Sequence, residues 1–124
     1  MKIKESAENY LEAILMIKNK KGYARSIDVA NHLNFSKPSV SVAMKSFREE
    51  GYITVDNDGN LDLTEKGQKI AAKMYERHET IAKTLMLLGV SEETAYEDSC
   101  KVEHDISDET FACLKRYLKK RKLV

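Results

Sequence analysis

The stretch SIDVANHLNFSKPSVSVAMKSFREEGYITV, residues 26–55, decides the fold. Ser26 is placed to cap a short helix over Ile27 to Leu33, with Asp28 in its first turn and Ile27, Val29, Ala30 and Leu33 as apolar positions. After Asn34 and Phe35, Ser36 reads as a second N-cap and Pro38 falls in the first turn, where its missing N–H costs nothing. The second helix runs to about Glu50 with an inward stripe of Val40, Met44 and Phe47, and Gly51 closes it. Two short helices across a three-residue turn are a helix-turn-helix, in which the second helix is the reading element. Opposite its stripe lie Ser39, Val42, Lys45 and Ser46. That face suits either plain solvent or a major groove, where serines reach phosphates or base edges, Val42 packs on a thymine methyl, and Lys37 and Lys45 meet phosphates.

The residues that follow favour the groove. Tyr52-Ile53-Thr54-Val55 is a β-type run, Asp56-Asn57-Asp58-Gly59 signals a turn, and Leu61-Asp62-Leu63 alternates like a second strand. A hairpin after a helix-turn-helix is a wing. Its acidic turn implies that phosphate contact from the wing uses backbone N–H groups, Asn57 or Asn60.

Upstream, Ser6 to about Asn19 is an amphipathic helix with Tyr10, Ile14 and Ile17 as its stripe, widened by Leu11 and Leu15. Glu12 on this helix is either a solvated carboxylate or one aimed inward at a metal. Downstream, Thr64 caps a long helix to about Leu88, with Ile70, Met74, Ile81, Leu85 and Leu88 along one side. Gly89-Val90 ends it, and Ser91 opens a helix patterned on Ala95, Cys100, Val102 and Ile106. Ser107 caps the last helix, with Phe111, Leu114 and Leu118; Cys113 in that pattern reads as a core residue. The basic run Lys115 to Lys122 reads as a solvated helix end opposing the dipole.

Cys100-Lys101-Val102-Glu103-His104 carries the chemistry. On a continuing helix, Cys100, Glu103 and His104 stand at i, i+3 and i+4 on one face, within reach of one divalent cation. Thiolate and imidazole suit iron or zinc, and the carboxylate also admits manganese. Three ligands do not close a site, so others are expected elsewhere.

Composition limits the function classes. A chain of 124 residues with 42% hydrophobic content makes one or two small domains without disulfide support. The net charge of +1 hides a basic region: from Lys18 to Arg48 there are seven cations, Arg25 among them, against the single acid Asp28, a surplus of about six. No apolar run approaches a bilayer span and no signal-peptide pattern follows Lys2 and Lys4, so a soluble, cytoplasmic protein is expected. Cys100 and Cys113 are expected to be reduced or metal-bound rather than paired. A thin helical layer with surplus apolar positions implies a homodimer. The expected class is mainly α: a winged helix-turn-helix DNA-binding domain with a two-stranded β wing at 1–65, then a helical metal-binding and dimerisation domain at 66–124.

With these residues in hand, the chain resembles the diphtheria-toxin-repressor and manganese-transport-regulator family of metal-dependent repressors. The carriers are Glu8-Asn9-Tyr10-Leu11-Glu12, Ser36-Lys-Pro-Ser-Val-Ser, Arg77-His78, and Cys100-x-x-Glu103-His104 with Ser107-Asp108-Glu109. The resemblance implies a homodimeric transcriptional repressor that binds palindromic operator DNA when loaded with Fe(II) or Mn(II) and controls metal-uptake genes. It implies Glu12 and His78 as ligands beside Cys100, Glu103 and His104, with Asn9 at a position where one branch has aspartate and the other methionine. It also implies that Ser36, Pro38 and Ser39 face DNA, while Val42 stands where one branch has an amide. Cys100 is the iron-type choice, yet the length is like that of the manganese-type branch, and a third, SH3-like domain is not expected. Ala82 and Tyr96 replace the companions of His78 at the second metal position of the iron-type branch. A winged-helix regulator responding to an organic ligand, or to oxidation of Cys100, is the alternative. A metalloenzyme using Glu103 as general base is disfavoured, because little chain remains to build a substrate cleft. His32, on the first short helix, is assigned no metal role.

Overall fold

A computed structural model describes residues 5–121, so the readings of Lys2, Lys4 and Lys122 lie outside the described residues. The chain divides into two compact units meeting between Lys73 and Met74.

In the first unit, α1 (Glu5–Lys21) has Glu5 and Glu8 in its first turn and three lysines in its last, both matched to the helix dipole. It buries Tyr10, Leu11, Ile14 and Ile17, the expected stripe, and Glu12 with them at 4% exposure. α2 (Ser26–Leu33) starts one residue earlier than expected. Its cap is Arg25 rather than Ser26, because Asp28 at the third helical position accepts the Arg25 backbone N–H at 3.0 Å and draws Ser26 into the first turn. Asn34, left-handed at φ 58°, turns the chain towards α3 (Lys37–Glu49). Ser36 caps α3 as expected, accepting the Ser39 N–H at 3.3 Å. Burying one of these caps' worth of hydrogen bonding stabilises a helix by about 1 kcal/mol.

Val29, Ala30, Val40, Met44 and Phe47 meet the α1 stripe in one core, which Ile53, Leu61 and Ala71 complete. Tyr10 packs edge-on against Phe35 at 5.6 Å and Phe47 at 5.5 Å, so one aromatic on α1 orients both the turn before α3 and its far end. The wing is β1 (Ile53–Val55) antiparallel to β2 (Leu61–Leu63), with Ile53 opposite Leu63 and Val55 opposite Leu61.

The wing joins α4 (Glu65–Leu87) through Tyr52 and Thr64. The Tyr52 carbonyl accepts the Thr64 N–H at 3.0 Å, while the Thr64 hydroxyl accepts the Gly67 N–H at 3.2 Å and donates to the Gly51 carbonyl at 2.7 Å. Gly67 is required by this closeness. A Cβ there would lie 2.1 Å from the Tyr52 carbonyl oxygen.

The second unit holds the rest of α4, α5 (Glu92–Val102) and α6 (Asp108–Lys120), the last two capped by Ser91 and Ser107 as expected. Three expectations are corrected here. The buried side of α4 includes Met74, Arg77, His78, Ile81 and Ala82, while Leu85 is only partly covered and Leu88 is 77% exposed beyond the helix end. The buried face of α5 and its cap is Ala95, Ser99 and Glu103, leaving Cys100 and Val102 towards the outside. Polar groups win those inward positions because partners await them on α4. Cys113 is exposed, since it lies two residues, or about 200° of helix turn, from the inward Phe111.

Gly67→Ala should destabilise the protein by roughly 2 kcal/mol or more, by forcing Tyr52 and the wing base apart. Urea unfolding is the check, and an unchanged midpoint would contradict the packing described for Tyr52.

Candidate metal centre and nucleic-acid interface

The donor atoms of His78, Cys100 and Glu103 lie within 4.8 Å of one another in the second unit. His78 comes from α4, Cys100 from the last turn of α5, and Glu103 from its C-cap. Glu103 is fully buried, with Oε2 3.0 Å from His78 Nδ1. Its other oxygen, Oε1, is buried without a hydrogen bond and lies 3.3 Å from His104 Nε2. His104 thus stands beside that oxygen, next to the cluster of His78, Cys100 and Glu103. α5 ends at Val102, and its C-cap Glu103 keeps a helical backbone, with its N–H on the Ser99 carbonyl at 3.0 Å.

Several bonds hold this geometry. Ser99 Oγ donates to the His78 carbonyl at 2.5 Å, and the Tyr96 ring lies 5.4 Å from the His78 ring while its hydroxyl donates to Glu79 at 2.8 Å. The Glu79 carboxylate and burial push the Tyr96 phenol up to about 12. Burial opposes a charged His78, but hydrogen bonds to Cys100 and Glu103 outweigh it and lift the imidazole to about 10. Without an ion, His78 carries the positive charge that Glu103 needs.

The donor set fits a divalent transition metal. A thiol, an imidazole and a carboxylate converge, and a buried carboxylate oxygen with no hydrogen bond is the acceptor that an ion would satisfy. The centre is open on the Cys100 side. On α1, Glu12 is buried and Asn9, three residues before it, is half-buried.

The first unit carries the nucleic-acid candidates. Lys37, Pro38, Ser39, Val42 and Lys45 of α3 are exposed, Val42 at 71%, and Ser36 stands at the cap with its hydroxyl donating to Ser39 Oγ at 2.8 Å. Ser46 is half-buried and donates to Glu50 at 3.2 Å, towards the helix end. A depression of about 150 Å³ between the starts of α2 and α3 is lined by Ser26, Ile27, Lys37 and Ser41. Ser26 and Ile27 belong to α2, so the periodicity of α3 does not point to them. Arg25 turns to the wing, donating to the Asp58 carbonyl with its guanidinium against Gly59. His32 is exposed.

The wing turn corrects one expectation. Asp56 Oδ1 accepts the N–H groups of Asp58 and Asn60 at 2.9 and 2.8 Å, Oδ2 accepts the Asn60 amide at 3.1 Å, and the Asp56 carbonyl accepts the Gly59 N–H at 3.1 Å. These donors close the turn on itself. Of the groups expected to meet phosphate there, the N–H groups of residues 58–60 are thus engaged within the turn.

Among the described residues no helix is long and apolar enough to cross a membrane. Two family models match: an iron-dependent repressor N-terminal DNA-binding domain over residues 2–61, and an iron-dependent repressor metal-binding and dimerisation domain over residues 64–123. The HTH-type transcriptional regulator MntR of Geobacillus kaustophilus is 37% identical over 102 residues, covering 82% of this chain and 72% of that protein. An HTH-type transcriptional regulator of Methanocaldococcus jannaschii, itself uncharacterised, is 37% identical over 120 residues, 95% of this chain and 96% of its own. The crystal structure of the metal-dependent transcriptional regulator MtsR superposes with a TM-score of 0.79 at 28% identity, over 95% of this chain and 54% of that one.

Protonated His78 stabilises the metal-free protein fully below its ordinary value of 6.5, and that stabilisation is lost as pH rises through about 10. Thermal melts of metal-free protein should therefore show this contribution fading on the alkaline side, whereas metal affinity should rise with pH because the ion must displace the proton. In a Glu103→Gln variant the His78 imidazole should titrate lower, towards 6.5, by NMR; an unmoved titration would contradict the pairing.

Proposed function

The chain belongs to the iron-dependent repressor family, that of the diphtheria toxin repressor and the manganese transport regulators, and is a metal-dependent transcriptional repressor; on that footing we propose how its residues divide the work. The observation that carries the proposal is the convergence of His78, Cys100 and Glu103 on a chain that also folds a winged helix.

His78, Cys100, Glu103 and His104 would hold the ion, Fe(II) or Mn(II). Asn9 and Glu12 of α1 complete the ligand set by the family resemblance, and the burial of Glu12 supports its part. When bound, the ion supplies a localised double positive charge that thiolate and carboxylate share. The chain's own residues do the rest: His78 gives up its proton, Cys100 ionises, and Glu103 is held at the end of α5. Ligands drawn from α1, α4 and α5 would set the angle of the winged half, and so the spacing of two reading helices in a homodimer.

On DNA, α3 enters the major groove of a palindromic operator. Ser36, Lys37 and Lys45 meet phosphates, Ser39 and Val42 face base edges, Pro38 sets the entry, and Ser46 borders this face. Arg25 braces the wing while offering its remaining donors to the backbone. The domains divide at about residue 65, with 1–65 for DNA and 66–124 for metal and dimerisation. A protein of this kind works in the cytoplasm on metal-uptake genes and is not an enzyme.

Binding of an operator-containing fragment should be tight with Fe(II) or Mn(II) and fall at least tenfold on full chelation; unchanged affinity would sink the proposal. Within that assay, Lys45→Ala should weaken all sequences alike and lower the salt dependence by about one phosphate contact, whereas Val42→Ala should alter preference at one base pair.

A further inference from the structure

Arg77 is 4% exposed, next in sequence to His78, and outside the donor cluster. Nη1 donates to the Glu103 carbonyl at 3.1 Å and to the Ile106 carbonyl at 2.7 Å, Nη2 donates to Asp108, and the guanidinium carbon lies 5.3 Å from the Phe111 ring centre. Its Nε is buried without a hydrogen bond. Adjacent residues of α4 thus take both ends of Glu103: His78 the carboxylate, Arg77 the backbone carbonyl.

This arrangement needs an explanation, since burying a guanidinium is costly unless its place is specified. The last carbonyls of a helix lack intrahelical partners and such ends fray. Glu103 stands at the C-cap of α5, where its side-chain direction would be soft. The Arg77 fork removes that softness by holding two carbonyls of the α5–α6 connection while Asp108, in the first turn of α6, holds the fork.

Building on the metal reading above, we infer that Arg77 is a positioning residue for Glu103, and that it ties occupancy of the metal centre to the start of α6. It touches no ion. It acts through the carbonyls of residues 103 and 106 and through Asp108 and Phe111, so metal at Glu103 stiffens the chain from Glu103 to Phe111.

The test is Mn(II) titration, followed by the electron paramagnetic resonance of the free ion, on wild type, Arg77→Lys and Asp108→Asn. Lysine keeps the charge but cannot make the fork. Asp108 has its side chain 79% exposed, so its amide variant folds whether or not Arg77→Lys does. Affinity should fall about tenfold or more in Arg77→Lys and severalfold in Asp108→Asn. In the wild type, metal should slow hydrogen exchange across residues 104–110, an effect reduced in both variants. With Co(II) as probe, the thiolate charge-transfer band from Cys100 should persist at saturation. Variants that bind Mn(II) within twofold of wild type overturn the inference and leave the metal reading intact. Loss of the thiolate band along with affinity indicates general loosening and also overturns it. Failure of wild type to bind Mn(II), Fe(II) or Co(II) overturns the metal reading and this inference with it.

Discussion

A single buried carboxylate, that of Glu103, sets the terms for the second unit. A charged group removed from water must be matched, and the chain pairs it with the His78 imidazole, sets His104 beside it and holds its backbone carbonyl with a guanidinium. His78 reaches one oxygen as a hydrogen-bonded cation. The other oxygen makes no hydrogen bond, although His104 stands 3.3 Å away. On the proposed assignment, the proton on His78 and a bound ion would compete for the same negative charge.

The first unit rests on a comparable economy at Tyr52. Its carbonyl takes the Thr64 N–H and presses on Gly67, and its ring packs edge-on with Phe47 at 6.4 Å while Lys66 lies 4.3 Å above it. One residue joins the end of the reading helix, the wing and the start of α4. Arg25 repeats this at the wing tip, bridging to Asn60 through its backbone and to Asp58 through its side chain. The wing is thereby held from both ends, and its acidic turn satisfies its own N–H groups instead of offering them to phosphate. The exposed serines and lysines of α3 and the depression beside α2 are the candidate surface for nucleic acid in this unit.

Much of this was legible beforehand because it is local. Ser36, Thr64, Ser91 and Ser107 announce helix starts through hydroxyls that reach an N–H three residues on, and Gly22, Gly51 and Gly89 take the positive φ that chain reversals require. The stripes of α1 and α3 could be read from period alone since both pack on one apolar core. The same reasoning failed on α5, where the inward line is Ala95, Ser99 and Glu103: hydropathy places serine and glutamate outside unless a buried partner is known. It failed again at Cys113, whose apolar neighbours suggested a core position that the helix turn does not provide.

What residue order determined by itself was the succession of helices, the wing and the chemical kinds of donor, because caps, turns and periodicity act over three or four residues. The tertiary structure decided which donors meet. Cys100 and Glu103 stand at the end of α5, which stops at Val102, and the third member of the cluster is His78 from α4, to which the family resemblance pointed and the residue spacing did not. Why it stops there was not readable either, since the carbonyls of Glu103 and Ile106 are claimed by Arg77, nearly thirty residues away in sequence (separations of 26 and 29) but adjacent in the fold. Electrostatic satisfaction of buried groups depends on distances that only packing sets, and this separates a list of ligands from a site.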